Sequence, residues 1–115
     1  MADQAELQAQ VQQLQQLSQQ LQQLTQQRMQ MEAIQNESQR AAKELSELPE
    51  DAVVYRNVGS YLVQDAGRDA AVERLKDEAE TMEVRVKRAK GQEEQLRKSL
   101  EQLQSKLQAA FAQQQ

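Results

Sequence analysis

Residues 72–110 read VERLKDEAETMEVRVKRAKGQEEQLRKSLEQLQSKLQAA, and their apolar side chains recur at alternating steps of three and four. The repeat occupies Val72, Leu75, Ala79, Met82, Val86, Ala89, Glu93, Leu96, Leu100, Leu103, Leu107 and Ala110. A mean step of about 3.5 residues is typical of the narrow seam of a coiled-coil helix, not of one side of a globular core. The pattern predicts a long helix over 68–112, with Asp65 as its cap and Asp69 in its first turn.

A second helix is predicted over residues 5–48, and Pro49 ends it. Its stripe consists of Leu7, Gln10, Leu14, Leu17, Leu21, Leu24, Arg28 and Met31, and continues as Ile34, Ser38, Ala41, Leu45 and Leu48. The successive steps of three around Met31 predict a stammer, a local overwinding of a coiled coil. A disordered Gln-rich tract is the competing interpretation, but random enrichment in Gln would not keep the leucines on one stripe.

Between the helices, residues 53–64 read VVYRNVGSYLVQ and concentrate β-branched and aromatic side chains around Gly59. This composition predicts a β hairpin with glycine in its turn, and an irregular apolar linker is the alternative. A lone two-stranded hairpin is marginally stable in water and has two open edges. We therefore expect it to pair with the hairpins of other chains, which makes the protein an oligomer.

The composition of the 115-residue chain disfavours a compact globular domain. Gln occupies 25 positions, aromatic residues make up only 3%, and Trp is absent. The predicted fold is therefore mainly α: residues 1–115 form a single domain, an antiparallel coiled coil of two helices joined by the β hairpin. Both termini would lie at the end of the coil opposite the hairpin.

The sequence does not indicate a catalytic, metal or nucleic-acid site. Cys and His are absent, which removes thiolate chemistry and the usual zinc and general-base ligands. The net charge of −4, without a basic stripe, disfavours a nucleic-acid partner. No apolar run approaches about 18 residues and no signal peptide is evident, so no membrane partner is expected. We expect a cytoplasmic protein that is not an enzyme and binds no cofactor.

The antiparallel register, in which facing residue numbers sum to about 118, brings two polar seam residues together. Arg28 would lie within about one turn of Glu93, where the two either pair and set the register or extend separately into solvent. The same register pairs Leu7 with Phe111, Val11 with Leu107 and Leu14 with Leu103. At a fraying end these six side chains would present apolar surface to other proteins, unless they only complete the coil.

The chain resembles the β-class subunits of the prefoldin family. LPEDAVVYRNVGSYLV at 48–63 is similar to the family's acidic turn followed by its V-Y-basic-x-x-G-x-x-x-V hairpin. ERLKDEAETMEVRVKRAKGQEEQLRKSLEQLQSKLQ at 73–108 resembles the family's second helix. Gly91 departs from that pattern, because the family normally has a good helix former there.

The resemblance implies an ATP-independent chaperone in which two α and four β subunits join their hairpins into a double β-barrel platform. The tips of its coiled coils would capture non-native client proteins and pass them to a group II chaperonin. Assembly would depend on Val53, Val54, Tyr55, Val58, Gly59, Tyr61, Leu62 and Val63. Client contact would depend on Leu7, Val11, Leu14, Leu103, Leu107 and Phe111. The alternative function is a structural coiled-coil adapter that forms a homodimer.

Overall fold

The computed structural model describes residues 3–113, which form two long α-helices with a β hairpin between them, as predicted. In chain order the elements are α1 (Gln4–Ser46), β1 (Tyr55–Val58), β2 (Tyr61–Gln64) and α2 (Arg68–Gln113). Residues 1, 2, 114 and 115 of the predicted domain lie outside the described residues. The chain divides into a terminal unit, the described parts of Met1–Met29 and Lys87–Gln115, and a hairpin unit, Gln30–Val86.

The apolar repeat of α2 forms the core of both units. All twelve predicted seam positions, from Val72 to Ala110, are buried or half-buried. In the terminal unit, Leu7 of α1 is buried with Leu103 and Leu107 of α2, and Val11, Leu14, Leu17 and Ala110 pack against them. Early residues of α1 therefore meet late residues of α2, as an antiparallel pair requires. In the hairpin unit, most of the buried side chains are small: Ser38, Ala42, Ala71 and Ala79.

The buried positions of α1 in the hairpin unit show that the predicted stammer is wrong. Ile34 is 42% exposed, whereas Gln35 beside it is half-buried, and the series continues through Ser38 and Ala42. The step of four from Met31 to Gln35, followed by three and four, retains the heptad alternation. The error arose because hydropathy alone places the apolar Ile34 in the seam, whereas its polar neighbour Gln35 occupies that position.

α1 ends two residues before its predicted end. The Ser46 hydroxyl donates to the carbonyl of Lys43 at 2.6 Å, and the Leu48 N–H bonds the carbonyl of Leu45 in a tightened last turn. Leu48 lies outside the helix and is exposed, so its predicted place in the stripe is wrong. The cause is Pro49, which disfavours helical geometry in the preceding residue.

The hairpin is an antiparallel pair with a two-residue turn, which makes the linker interpretation wrong. Tyr55 pairs with Gln64 and Val58 pairs with Tyr61, leaving Gly59 and Ser60 as the loop. Gly59 has φ +60°, and no other residue type in the described chain has a positive φ. Positive φ at the first turn position alone fits a type II′ turn, in which glycine is preferred.

α2 begins at Arg68, as predicted, but its cap differs from the prediction. Asp69 lies in the first turn as expected, but the first helical bond runs from the Ala71 N–H to the carbonyl of Gly67. Gly67 is therefore the cap, and Asp65 lies two residues too early to serve as one. No helix within residues 3–113 has a stretch long and apolar enough to cross a membrane.

Candidate functional site

The hairpin carries a dense group of exposed apolar side chains, which we call the hairpin patch. It consists of Val53, Tyr55, Val58, Tyr61, Leu62 and Val63. Tyr61 is 76% exposed and Leu62 is 71% exposed. Every residue of β1 and β2 is exposed, and neighbouring residues of a strand point to opposite faces of the sheet. Neither face of the hairpin is therefore covered by residues 3–113. Scattered apolar residues on a surface are ordinary, but six within eleven positions make the hairpin patch a candidate interaction site.

Val54 differs from the other predicted assembly residues, because it is buried in this chain. Its carbonyl accepts the N–H of Asp65 at 2.7 Å, which extends the hairpin ladder by one bond. The Arg74 guanidinium donates to the Asp65 carboxylate and holds the pKa of that carboxyl below its ordinary value. The root of the hairpin is thus closed by one backbone bond and is tied to α2 by one ion pair.

At the helix ends of the terminal unit, more apolar side chains are buried than the sequence predicts. Leu7, Leu103 and Leu107 are each at most 8% exposed, so the expectation that they present apolar surface is wrong. The reason is that the three side chains cover one another across the antiparallel pair. Val11 is half-buried, and so is Leu14. The part of these five residues in client contact stays a prediction.

Phe111, near the end of α2, is a large apolar side chain of the terminal unit that remains open. It is 48% exposed and lines a shallow groove with residues of α1. This terminal groove consists of Gln4, Leu7, Gln8, Val11, Gln12, Gln15 and Phe111. None of these side chains is charged. The groove therefore offers one open aromatic ring and a partly covered apolar floor beside a row of amides.

The polar pair that the sequence left open is formed in the structure. Arg28 Nε donates to Glu93 Oε1, and Thr25 Oγ1 donates to Glu93 Oε2 at 3.3 Å. Glu93 is only 4% exposed, and Arg28 is half-buried. Both carboxylate oxygens thus have a partner inside the seam, which removes the alternative of two side chains extending separately into solvent.

Sequence reasoning missed the glutamines of the terminal groove and the hydroxyl of Thr25. Sequence reasoning assigns no role to these glutamines, although Gln4, Gln8 and Gln12 recur at steps of four, which lie on one helix face. That spacing could have identified the row. The role of Thr25 had no sequence signal, because it depends on a residue of the other helix.

Metal binding has no structural basis in the described part of the chain. Within residues 3–113, no group of three or more Asp or Glu side chains is arranged to hold an ion. The acidic residues occur instead beside arginine and lysine, as in the exposed pair of Arg40 with Glu37 at 2.7 Å. The interaction surfaces that remain are the hairpin patch and the terminal groove.

Comparisons with known proteins agree with this architecture. A family model described as "Prefoldin subunit" matches residues 8–114. The prefoldin subunit beta of Methanosarcina acetivorans is 44% identical over 106 residues, which cover 92% of this chain and 90% of that protein. The prefoldin subunit beta of Thermococcus gammatolerans is 41% identical over 76 residues, which cover 66% of this chain and 64% of that protein.

A solved structure matches the fold as well as the sequence. The crystal structure of the prefoldin beta subunit from Thermococcus strain KS-1 superposes with a TM-score of 0.81. The match covers 91% of each chain at 38% identity. On the family model, the aligned relatives and this structural match, the chain belongs to the prefoldin subunit family and resembles its β subunits.

Proposed function

We propose that this chain, acting as one domain over residues 1–115, is a subunit of an ATP-independent molecular chaperone in the cytoplasm. The assembly would hold non-native proteins and deliver them to a group II chaperonin. The observation that carries the proposal is the hairpin patch, whose exposed side chains need partners from other subunits. Family membership supports the same role.

Assembly would bury the hairpin patch in a shared sheet with an α-class prefoldin subunit, in a hexamer of two α and four β subunits. Burying one large apolar side chain contributes about 1.5–3 kcal/mol. The six side chains of the patch are 40–76% exposed, so burying them would offset a large part of the loss of subunit freedom on association. The open edges of β1 and β2 would supply further main-chain hydrogen bonds.

Client capture would take place in the terminal groove, where Phe111 is the open apolar contact. A single exposed ring binds weakly, and several weak sites on one assembly add through avidity. Capture would be reversible, and release would use no nucleotide. We infer no enzymatic activity, since the chain belongs to the prefoldin subunit family and residues 3–113 contain no group of three or more acidic side chains that could hold a metal ion.

Two measurements test this function together. Native mass spectrometry of the chain, co-expressed with an α-class prefoldin subunit, should give a defined complex of two α and four of these chains. In an aggregation assay with a denatured client, Phe111→Gln should weaken protection, whereas the comparably exposed Ile34→Gln should not. A homodimer that ignores the α subunit would support the adapter function instead, and undiminished protection by Phe111→Gln would contradict the client site.

A further inference from the structure

The terminal groove combines two kinds of surface that suit different parts of a polypeptide. Phe111 and Val11 can cover apolar side chains, whereas the four glutamines carry side-chain amides. Each amide offers two N–H donors and one carbonyl acceptor. Within residues 3–113, no side-chain hydrogen bond engages the amides of these four glutamines. Their donors and acceptors are therefore available to a ligand.

The spacing of the glutamine row is close to the repeat of an extended main chain. Gln4, Gln8 and Gln12 follow one another at steps of four, or about 6.0 Å along a helix axis. An extended chain presents equivalent main-chain groups on one edge every second residue, about 6.6 Å apart. The mismatch across the row is about 1.2 Å, which flexible glutamine side chains can accommodate.

The charge of the groove also indicates the kind of segment that fits. None of its lining side chains is charged, and α1 has no charged residue between Glu6 and Arg28. A charged ligand would lose hydration in the groove without gaining an ionic partner. A helical segment has no unsatisfied main-chain groups in its interior to offer the amide row. The groove therefore favours an uncharged segment that is extended.

We propose that the terminal groove binds extended, uncharged segments of non-native polypeptides through their main chain as well as their apolar side chains. Gln4, Gln8 and Gln12 hydrogen-bond the main-chain amides of the segment, and Phe111 and Val11 cover its side chains. This inference rests on the proposed chaperone function and adds the feature that the groove recognises. The row from Gln4 to Gln15 is about 16 Å long, which matches about five extended residues.

The test uses a neutral peptide of about seven residues with alternating Leu and Thr, long enough to span the row. A second peptide has the same side chains but carries methyl groups on alternate main-chain nitrogens. The full-length protein should bind the unmodified peptide about tenfold more tightly, because methylation removes several main-chain donors. Changing the salt from about 0.05 M to about 0.5 M should alter affinity less than about twofold, since the lining is uncharged.

The decisive comparison is the preference for the unmodified peptide in the triple variant Q4M/Q8M/Q12M. Methionine keeps the side-chain length and the helix propensity but removes the amide, so the preference should fall below about threefold. Q13M/Q16M/Q20M, at exposed glutamines of α1 outside the groove, is the matched control and should keep the full preference.

Each other outcome has a definite meaning. If Q4M/Q8M/Q12M keeps the preference, or if the unmodified protein shows none, the recognition of main chain by the amide row is overturned. Protection of a denatured client, measured in parallel, would then still support the chaperone function. If the unmodified protein binds neither peptide and protects no client, the proposed function fails, and this inference fails with it.

Discussion

Glu93 places a carboxylate inside a seam whose other α2 positions are all apolar. A buried charge is tolerated only when its partners replace the lost hydration. Arg28 and Thr25 both supply that replacement from α1. A shift of the two helices by one heptad would separate the carboxylate from both partners. We therefore interpret the pair as a register-setting contact of the terminal unit.

Replacing Arg28 by Leu should lower the free energy of unfolding by about 2 kcal/mol, because Glu93 stays buried without its ionic partner. The double variant R28L/E93L should recover most of that loss, since it pairs two apolar side chains in the seam. Urea unfolding followed by far-ultraviolet circular dichroism measures both differences, at one fixed protein concentration.

Arg40→Leu is the matched control for this prediction. Arg40 pairs with Glu37 and Glu44 on the exposed face of α1. Exposed pairs of this kind are screened by solvent and contribute little to stability. Equal losses in Arg28→Leu and Arg40→Leu, or a double variant less stable than Arg28→Leu, would contradict the seam interpretation.

Asp65 should make the stability of the hairpin unit depend on pH. Its bond from Arg74 lowers the carboxyl pKa in the folded chain, so stabilisation is present above the ordinary Asp pKa of about 3.9. It is lost as the pH falls through the lowered folded value. Urea unfolding across a pH series should therefore show Asp65→Asn less stable than the unmodified protein at neutral pH, with a gap that closes in acid. A difference in stability between the two proteins that widens in acid would contradict the predicted direction of the pH dependence.

At the scale of the elements, the two long helices tolerate polar and irregular positions because a narrow seam holds them. Gly91 lies within α2, is exposed, and has no heavy atom close to where a Cβ would be. The helix continues through it without a break. The departure from the family pattern at this position therefore leaves the helix intact and costs only conformational entropy.

Gly91→Ala should raise the free energy of unfolding by about 0.5–1 kcal/mol, because alanine restricts the unfolded chain and fits the helix. Thermal or urea unfolding at constant protein concentration measures the gain. An unchanged or lower stability would mean that position 91 needs glycine for a contact outside this chain.

Gly59→Ala is the internal control, since the same change in the hairpin turn should lower stability instead of raising it. Gly59 has φ +60°, a conformation that costs an L-residue about 1 kcal/mol. Gly59→Ala should therefore destabilise the hairpin unit while Gly91→Ala stabilises α2. Hydrogen exchange of the β1 and β2 amides reports the hairpin directly.

For the molecule as a whole, the two-stranded sheet is the part of the fold that a single chain leaves exposed. Both edges of the two-stranded sheet are open within the described residues, and six apolar side chains around it have no cover in the chain. The helices, in contrast, bury their own seam. Association through the hairpin would thus complete the part of the fold that one chain cannot stabilise alone.

Tyr55→Asp and Val58→Asp should each block oligomer formation, because a charge in the hairpin patch would be desolvated in the shared sheet. Both side chains are exposed in the single chain, so helicity should remain high. Analytical ultracentrifugation and circular dichroism measure the two properties separately. Arg40→Asp, on the exposed face of α1, is the control that should leave assembly unchanged; an intact oligomer in both hairpin variants would contradict the assembly role.

The two helices, the seam of α2 and the hairpin with glycine in its turn could all be predicted from the amino-acid sequence. These features follow from consecutive residues, because helix period and strand alternation are properties of a single segment. Three features could not be predicted in this way: Gln35 replaces Ile34 in the seam, Leu7 is covered while Phe111 stays open, and Asp65 binds Arg74 instead of capping α2. Each of these depends on which distant segment approaches the residue, and a periodicity within one segment carries no information about that approach.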